Sequence, residues 1–174
     1  MFVRLSSSAR SSILRALEEA AKLGATSVGP EHLLLSVATL AGSSASVVLA
    51  EAGITPAGIC RAIEAEDAEV LAAIGISLDS VRKKVEQAIG SDAWGRSFSA
   101  VELPFAQAGK DAVNSSAGEA RKLRHRAIEA EHILLALLGR GGSVDKILGR
   151  LGASPVDVRN RVLSKLGAAK QVSS

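Results

Sequence analysis

A chain of 174 residues with 21 Lys+Arg against 18 Asp+Glu, a formal charge of +3 and a 47% hydrophobic content is long enough to bury a core without covalent staples. Its single cysteine, Cys60, excludes an intramolecular disulfide and reads as a small apolar residue in a reducing compartment, and the near-balance of charge announces no polyanion partner. Three Phe, one Trp and no Tyr leave too few rings for a single-strand stacking platform, and the longest apolar run, Leu33 to Leu40, is broken by Ser36 and Thr39, so a soluble cytoplasmic protein is expected.

The first predicted element is a helix over 6–24, capped by serines, with Ile13, Leu14, Leu17, Ala20, Ala21 and Leu23 as its apolar stripe and Gly24 as its stop. The second starts at Gly29-Pro30-Glu31. Proline loses nothing at the first helical position, and an acid in the first turn complements the exposed amides. Leu33, Leu34, Val37 and Leu40 then face the core. A short helix over 44–52 carries Val47, Val48 and Leu49 and ends at Gly53, and Thr55-Pro56 opens a fourth with Ile59 and Ile63 inside. The acidic stretch 64–69 reads as a solvated helix end or linker. Gly75-Ile76-Ser77-Leu78 opens a further helix, and 91–104, with Trp94, Gly95 and Phe98, shows no period and reads as a joining loop.

From Phe105 the chain repeats itself. A helix over 106–123 is interrupted by Gly109, Asn114, Ser115, Ser116 and Gly118, so packing rather than propensity must hold it. A basic cluster from Arg121 to Arg126 follows, then helices over 129–138, 143–151 and 154–166. Glu19-Ala20-x-Lys22-Leu23 returns as Glu119-Ala120-x-Lys122-Leu123, and Pro30-Glu31-His32-Leu33-Leu34-Leu35 as Ala130-Glu131-His132-Ile133-Leu134-Leu135, both at an offset of 100 positions. Gly53-Ile54-Thr55-Pro56 meets Gly152-Ala153-Ser154-Pro155 with one residue lost, and Gly75-Ile76-Ser77 echoes Gly152-Ala153-Ser154 a second time. Such self-similarity marks an internal duplication, and two helical clusters side by side bury leucine faces that neither would cover alone. The expected fold is all-α: two pseudo-twofold-related repeats of about four helices each, over 1–70 and 104–167. An extra helix and linking loop over 71–103 and a flexible tail over 168–174 complete one compact domain.

Catalytic signatures are missing from this pattern. Gly139-Arg140-Gly141-Gly142 lacks the Lys-Ser/Thr that completes a phosphate-cradling loop and reads as a turn. A helical zinc site needs a second His one turn after the first, and Ser36 and Ala136 stand there. There is no Gly-x-Ser-x-Gly elbow, and three His leave little room for a Ser-His-Asp arrangement. No enzyme, metal or cofactor is expected. Glu31 and Glu131 read two ways, as first-turn capping acids or as the anionic walls of paired pockets beside free helix N–H groups. His32 and His132 read as core-facing.

The duplicated segments resemble the Clp repeat of the N-terminal domains of Hsp100/Clp unfoldases, the ClpC type above all. The carriers are Lys22-Leu23-Gly24 leading to Val28-Gly29-Pro30-Glu31-His32-Leu33-Leu34-Leu35, Lys122-Leu123 leading to Ile128 and Glu131-His132-Ile133-Leu134-Leu135, and the openings Met1-Phe2-x-Arg4-Leu5 and Pro104-Phe105. The resemblance covers residues 1–167 and leaves out the ATPase modules. It implies a monomeric binding module that recruits peptides or protein substrates without doing chemistry, as adaptor or decoy for a Clp ATPase or protease. In family members that recognise phosphoarginine, each repeat uses a hydroxyl near its first helix and the Glu of its Glu-His pair. The matching positions are Ser6 with Glu31, and Ala106 with Glu131, where the hydroxyl is lost; Pro30 and Ala130 stand where the family often has Thr. In such a site the carboxylate holds the guanidinium bidentately while hydroxyl and helix amides receive the phosphate. The family also binds cyclic peptide antibiotics, through positions that fall here on Phe2, Phe105 and Lys110. A rival reading, a helical DNA-binding protein, rests on short helices with Gly turns and on the cluster from Arg121 to Arg126.

Overall fold

Local sequence signals set nearly every helix start. The computed structural model describes residues 4–77, 83 and 103–172. They form α1 (Ser7–Lys22), α2 (Pro30–Thr39), α3 (Ser44–Glu51), α4 (Pro56–Ala73), α5 (Gln107–Lys122), α6 (Ala130–Leu138), α7 (Ser143–Arg150) and α8 (Pro155–Val172), with strands β1 (Arg4–Leu5) and β2 (Ala127–Ile128). Phe2, most of the expected extra helix, and Trp94, Gly95 and Phe98 lie outside the described residues. Ser6, Ser43 and Thr55 each accept a backbone N–H three residues on, from Ala9 (3.2 Å), Ser46 (3.0 Å) and Gly58 (3.1 Å). Both first helices stop on a left-handed residue, Gly24 at φ 70° and Arg124 at φ 56°.

Two helices outrun their expected ends. The acidic stretch 64–69 is not a linker: α4 runs through it to Ala73, because Ala, Glu and Leu are strong helix formers. Glu66 and Glu69 also reach α7, pairing with Lys146 at 2.8 Å and Arg150 at 2.5 Å. Likewise α8 continues past Leu166 to Val172, across Ala168, Ala169, Lys170 and Gln171, which favour helix. Leu14, expected in the apolar stripe of α1, is 61% exposed. The face of α1 turned inward is Ala9, Ser12, Ala16 and Ala20, small residues at helical spacing that let it lie close on α2. Ser12 keeps its hydroxyl satisfied on the Ser8 carbonyl at 3.0 Å.

The repeats are clasped reciprocally. β1 pairs in parallel with β2, Arg4 opposite Ala127 and Leu5 opposite Ile128, and Val28 bridges Phe105 in the same sense. Ser6 N–H donates to the Ile128 carbonyl and Ala106 N–H to the Val28 carbonyl, both at 3.0 Å. Each repeat therefore hands its opening residues to the segment before the second helix of the other. Behind this seam α2 and α6 pack on each other, α3 meets α8 and α4 meets α7. The core is built from Leu33, Leu34, Leu35, Ile133, Leu134 and Leu135. Cys60 is half-buried and packed against that core, and burial pushes its thiol up. Among the described residues, no single helix is long and apolar enough to cross a membrane.

Candidate functional site

The duplicated Glu-His pair sits at the second helix of each repeat. His32 Nδ1 accepts the Gly29 N–H at 3.0 Å, and His132 Nδ1 accepts the Glu129 N–H at 2.8 Å. A third-position imidazole thus does what Glu or Gln does in a capping box. With Nδ1 accepting, the neutral His132 ring carries its proton on Nε2. His132 donates that proton to His125 Nδ1, 2.8 Å away. Both histidines are buried, His32 at 4% and His132 at 0% exposure, as a core-facing reading expects.

The two acids reach across the molecule rather than along their own helices. Glu31 Oε2 accepts from Ser143 Oγ at 2.8 Å, and Glu131 Oε1 accepts from Ala45 N–H at 3.3 Å. Ser143 and Ala45 lie in the first turns of α7 and α3, so each acid caps the third helix of the opposite repeat, where free amides favour negative charge. Burial works to raise the Glu31 carboxyl, but the His32 ring, its own N–H and Ser143 outweigh it and hold the group below the ordinary carboxylate value.

Ser6 belongs to a different set. Its Oγ caps α1 and lies 3.0 Å from Ser8 Oγ, while Ser8 Oγ donates to Glu129 Oε2 at 2.6 Å and accepts Ala130 N–H at 3.2 Å. Among the described residues no hydrogen bond joins Ser6 to Glu31, and Ala106 starts α5 without a side-chain cap. Ser8 and Glu129 were not singled out from the sequence. The available signal was the mismatch between copies, since the matching positions are Ala108 and Gly29. A Cβ at Gly29 would lie 2.0 Å from Glu31 Oε1, so only glycine leaves that carboxylate its place.

Two cavities adjoin these residues. One, of about 380 Å³, lies between the α1–α2 turn, α4 and α7 and is lined by Ala25, Thr26, Ser27, Glu31, His32, Ile63, Glu66, Asp67 and Ser143 among others. The other, of about 520 Å³, opens at the seam and is mainly apolar: Ile13, Pro104, Phe105 and Val113, with Lys110 and Asn114 at its edge. Phe105 and Lys110 thus line the same cavity, while Phe2 lies outside the described residues. The basic cluster is partly consumed internally. Lys122 bonds Glu119 at 2.8 Å and His125 turns to His132. Arg124 and Arg126 stand on a turn rather than along a helix face that enters a groove.

The buried His132 predicts an acid-sensitive fold. Burial, then the neighbouring His125, lowers His132 from 6.5 to about 4, against the smaller raising effects of Glu129 and Glu119. The unfolded chain therefore binds a proton that the folded chain refuses between these values. Stability is full above pH 6.5 and declines as pH falls toward 4, by roughly 3–4 kcal/mol in total at about 1.4 kcal/mol per unit. Denaturant unfolding at pH 7 and pH 5 checks this; equal midpoints would contradict it.

Comparison with known proteins gives the same architecture. The profile of the Clp repeat (R) N-terminal domain matches residues 4–68 and 104–174. The chloroplastic ClpA homolog, ATP-binding subunit of the ATP-dependent Clp protease, of Brassica napus is 35% identical over 175 residues, covering 100% of this chain and 17% of that protein. Chaperone protein ClpC1, chloroplastic, of Arabidopsis thaliana is 35% identical over 100% of this chain and 16% of its own length. The chain thus spans about a sixth of these relatives. Among solved structures, the N-terminal domain of the caseinolytic protease associated chaperone ClpD from Arabidopsis thaliana superposes with a TM-score of 0.67 at 22% identity, covering 94% of this chain and 95% of that one. The Hsp104 N-terminal domain from Candida albicans gives 0.62 at 14% identity, covering 94% and 92%. At these identities the two structures speak to the fold alone.

Proposed function

The chain belongs to the Clp repeat N-terminal domain family, and from that premise we propose that it is a non-enzymatic module that captures peptides or proteins for Clp proteolysis, as adaptor or decoy. The observation that carries this reading is the apolar seam cavity with Phe105 in its wall and Lys110 at its edge. Apolar walls with a few convergent polar groups are the usual make-up of a ligand site, and its volume of about 520 Å³ suits several side chains of a bound peptide, cyclic peptide antibiotics included. Phosphoarginine is the weaker candidate ligand. Glu31 offers its guanidinium a carboxylate, but Ser6 is engaged with its neighbour Ser8, which turns to Glu129 of the other repeat, and Glu131 is buried on Ala45.

Titration of the isotope-labelled chain with a cyclic apolar peptide and with a phosphoarginine peptide tests the proposal. Amide shifts are expected at Ile13, Phe105, Lys110, Val113 and Asn114, and Phe105→Ala should weaken peptide binding by tenfold or more, as loss of a buried aromatic anchor does. A folded chain that binds neither ligand overturns it.

A further inference from the structure

Arginines gather where the first helix of the second repeat ends. Arg121 lies in the last turn of α5, and its carbonyl accepts the Arg124 N–H at 2.9 Å. Two residues on, Arg126 leads into β2, where Ala127 pairs with Arg4 of β1. The turn and the ribbon thus bring Arg4, Arg121, Arg124 and Arg126 to one place, and all four are exposed. Leu5, next to Arg4, is 36% exposed.

Neither the fold nor the duplication accounts for these charges. On α7 and α8, Lys146, Arg150, Arg159 and Lys165 each meet a carboxylate within 3.1 Å. Among the described residues Arg4, Arg121, Arg124 and Arg126 meet none. Positive charge in the last turn of a helix complements the exposed carbonyls, which explains Arg121 but not the three beyond the helix end. The copy-related residues are Pro104, Ala21, Gly24 and Thr26, all uncharged. The exchange of Gly24 for Arg124 is the costly one. Arg124 stands at φ 56°, a left-handed conformation in which a Cβ crowds the backbone and which glycine takes freely. Strain of this kind gathers at ligand-binding and switching sites.

We propose that this face docks an acidic segment of a partner protein, its carboxylates paired with the arginines and an apolar residue against Leu5. A planar guanidinium takes a carboxylate bidentately. Nucleic acid fits less well. The arginines sit on a turn and a two-residue ribbon rather than on a helix that enters a groove. Among the described residues the one Phe, Tyr or Trp is Phe105, and it lines the seam cavity instead of offering a stacking ring here. Leu5 gives a peptide side chain a contact that a phosphate chain does not use. This face is separate from the seam cavity and independent of what that cavity takes.

The test is a titration of the full chain with a peptide of glutamates flanking a leucine, with its glutamine counterpart and with a single-stranded oligonucleotide, read on the Nε signals of the four arginines and the amides of residues 121–127. The glutamate peptide is expected to shift these signals, to bind at least tenfold more tightly than the other two, and to weaken as salt is raised. Arg124→Gly, which installs the residue of the other copy, should weaken it by roughly three- to fivefold while raising the unfolding temperature by about 2–4 °C as strain is relieved. Arg126→Thr should weaken binding alike without that gain. Tighter binding of the oligonucleotide, undiminished binding by the folded variants, or a lowered unfolding temperature for Arg124→Gly overturns the inference. Failure of the glutamate peptide with the apolar seam peptide still bound would remove this surface and leave the proposed function standing.

Discussion

Leu134→Ala should destabilise the whole molecule by about 2–5 kcal/mol, the usual cost of a cavity left by a fully buried leucine. Leu134 is 0% exposed, on a helix that packs directly on its counterpart α2. The damage is therefore expected in both repeats at once. Thermal unfolding should remain a single transition, displaced downward by roughly 2–4 °C for each kcal/mol lost in a chain of this size. Leu34→Ala, at the matching and equally buried position, should behave alike. Two separated transitions, with only the mutated repeat shifted, would mean that the halves do not share a core.

The largest contrast between neighbouring substitutions is predicted within α5. A Cβ added at Gly109 would lie 2.6 Å from the Val28 carbonyl oxygen, the same oxygen that accepts the Ala106 N–H at the seam. Gly109→Ala must push two backbones apart, and a loss of about 1–3 kcal/mol is expected from such overpacking. At Gly118, by contrast, a Cβ meets nothing within 4 Å, and Gly118→Ala should stabilise by about 0.5–1 kcal/mol through helix propensity alone. Denaturant unfolding of the two variants against the parent decides the matter. The same sign for both would show that the close approach of α5 to Val28 is not a constraint.

Much of this architecture was legible in the residues. Pro30 and the Ser and Thr caps are local signals, and they placed helix starts within a residue or two because capping depends on side chains adjacent in sequence. Duplicated Glu-His-Leu/Ile-Leu-Leu segments disclosed the two repeats. Helix ends were less legible, as α4 and α8 show, because strong helix formers extend a helix past the last core contact. Leu14 misled since an apolar residue on a stripe says nothing about which small residues a neighbouring helix will choose to lie on; Ala9, Ala16 and Ala20 were chosen. Gly109 read as a break in a helix, yet it is where the Val28 carbonyl of the partner repeat leaves no room for a Cβ.

The candidate sites were partly legible. Phe105 and Lys110, which the family resemblance singled out, line one cavity. Pairing Ser6 with Glu31 within one repeat assumed that each repeat closes on itself. The reciprocal exchange instead sets Ser6 against Ile128 and Glu31 against Ser143, contacts that span more than a hundred residues and leave no periodic trace. The buried Glu119 is held by Lys122 one turn on at 2.8 Å and also by Arg159 at 2.6 Å, and this second, long-range pairing is one that spacing does not reveal.

Native-state hydrogen exchange at three backbone amides tests the reciprocal clasp most directly. Ser6, Val28 and Ala106 each donate across the seam, to Ile128, Pro104 and Val28 at 3.0, 2.9 and 3.0 Å. All three should exchange together, with the free energy of global unfolding, since neither repeat can release its neighbour's opening strand without losing its own. Rapid exchange of Ser6 while Val28 and Ala106 stay protected, or the reverse, would show two repeats that open independently and would contradict the account.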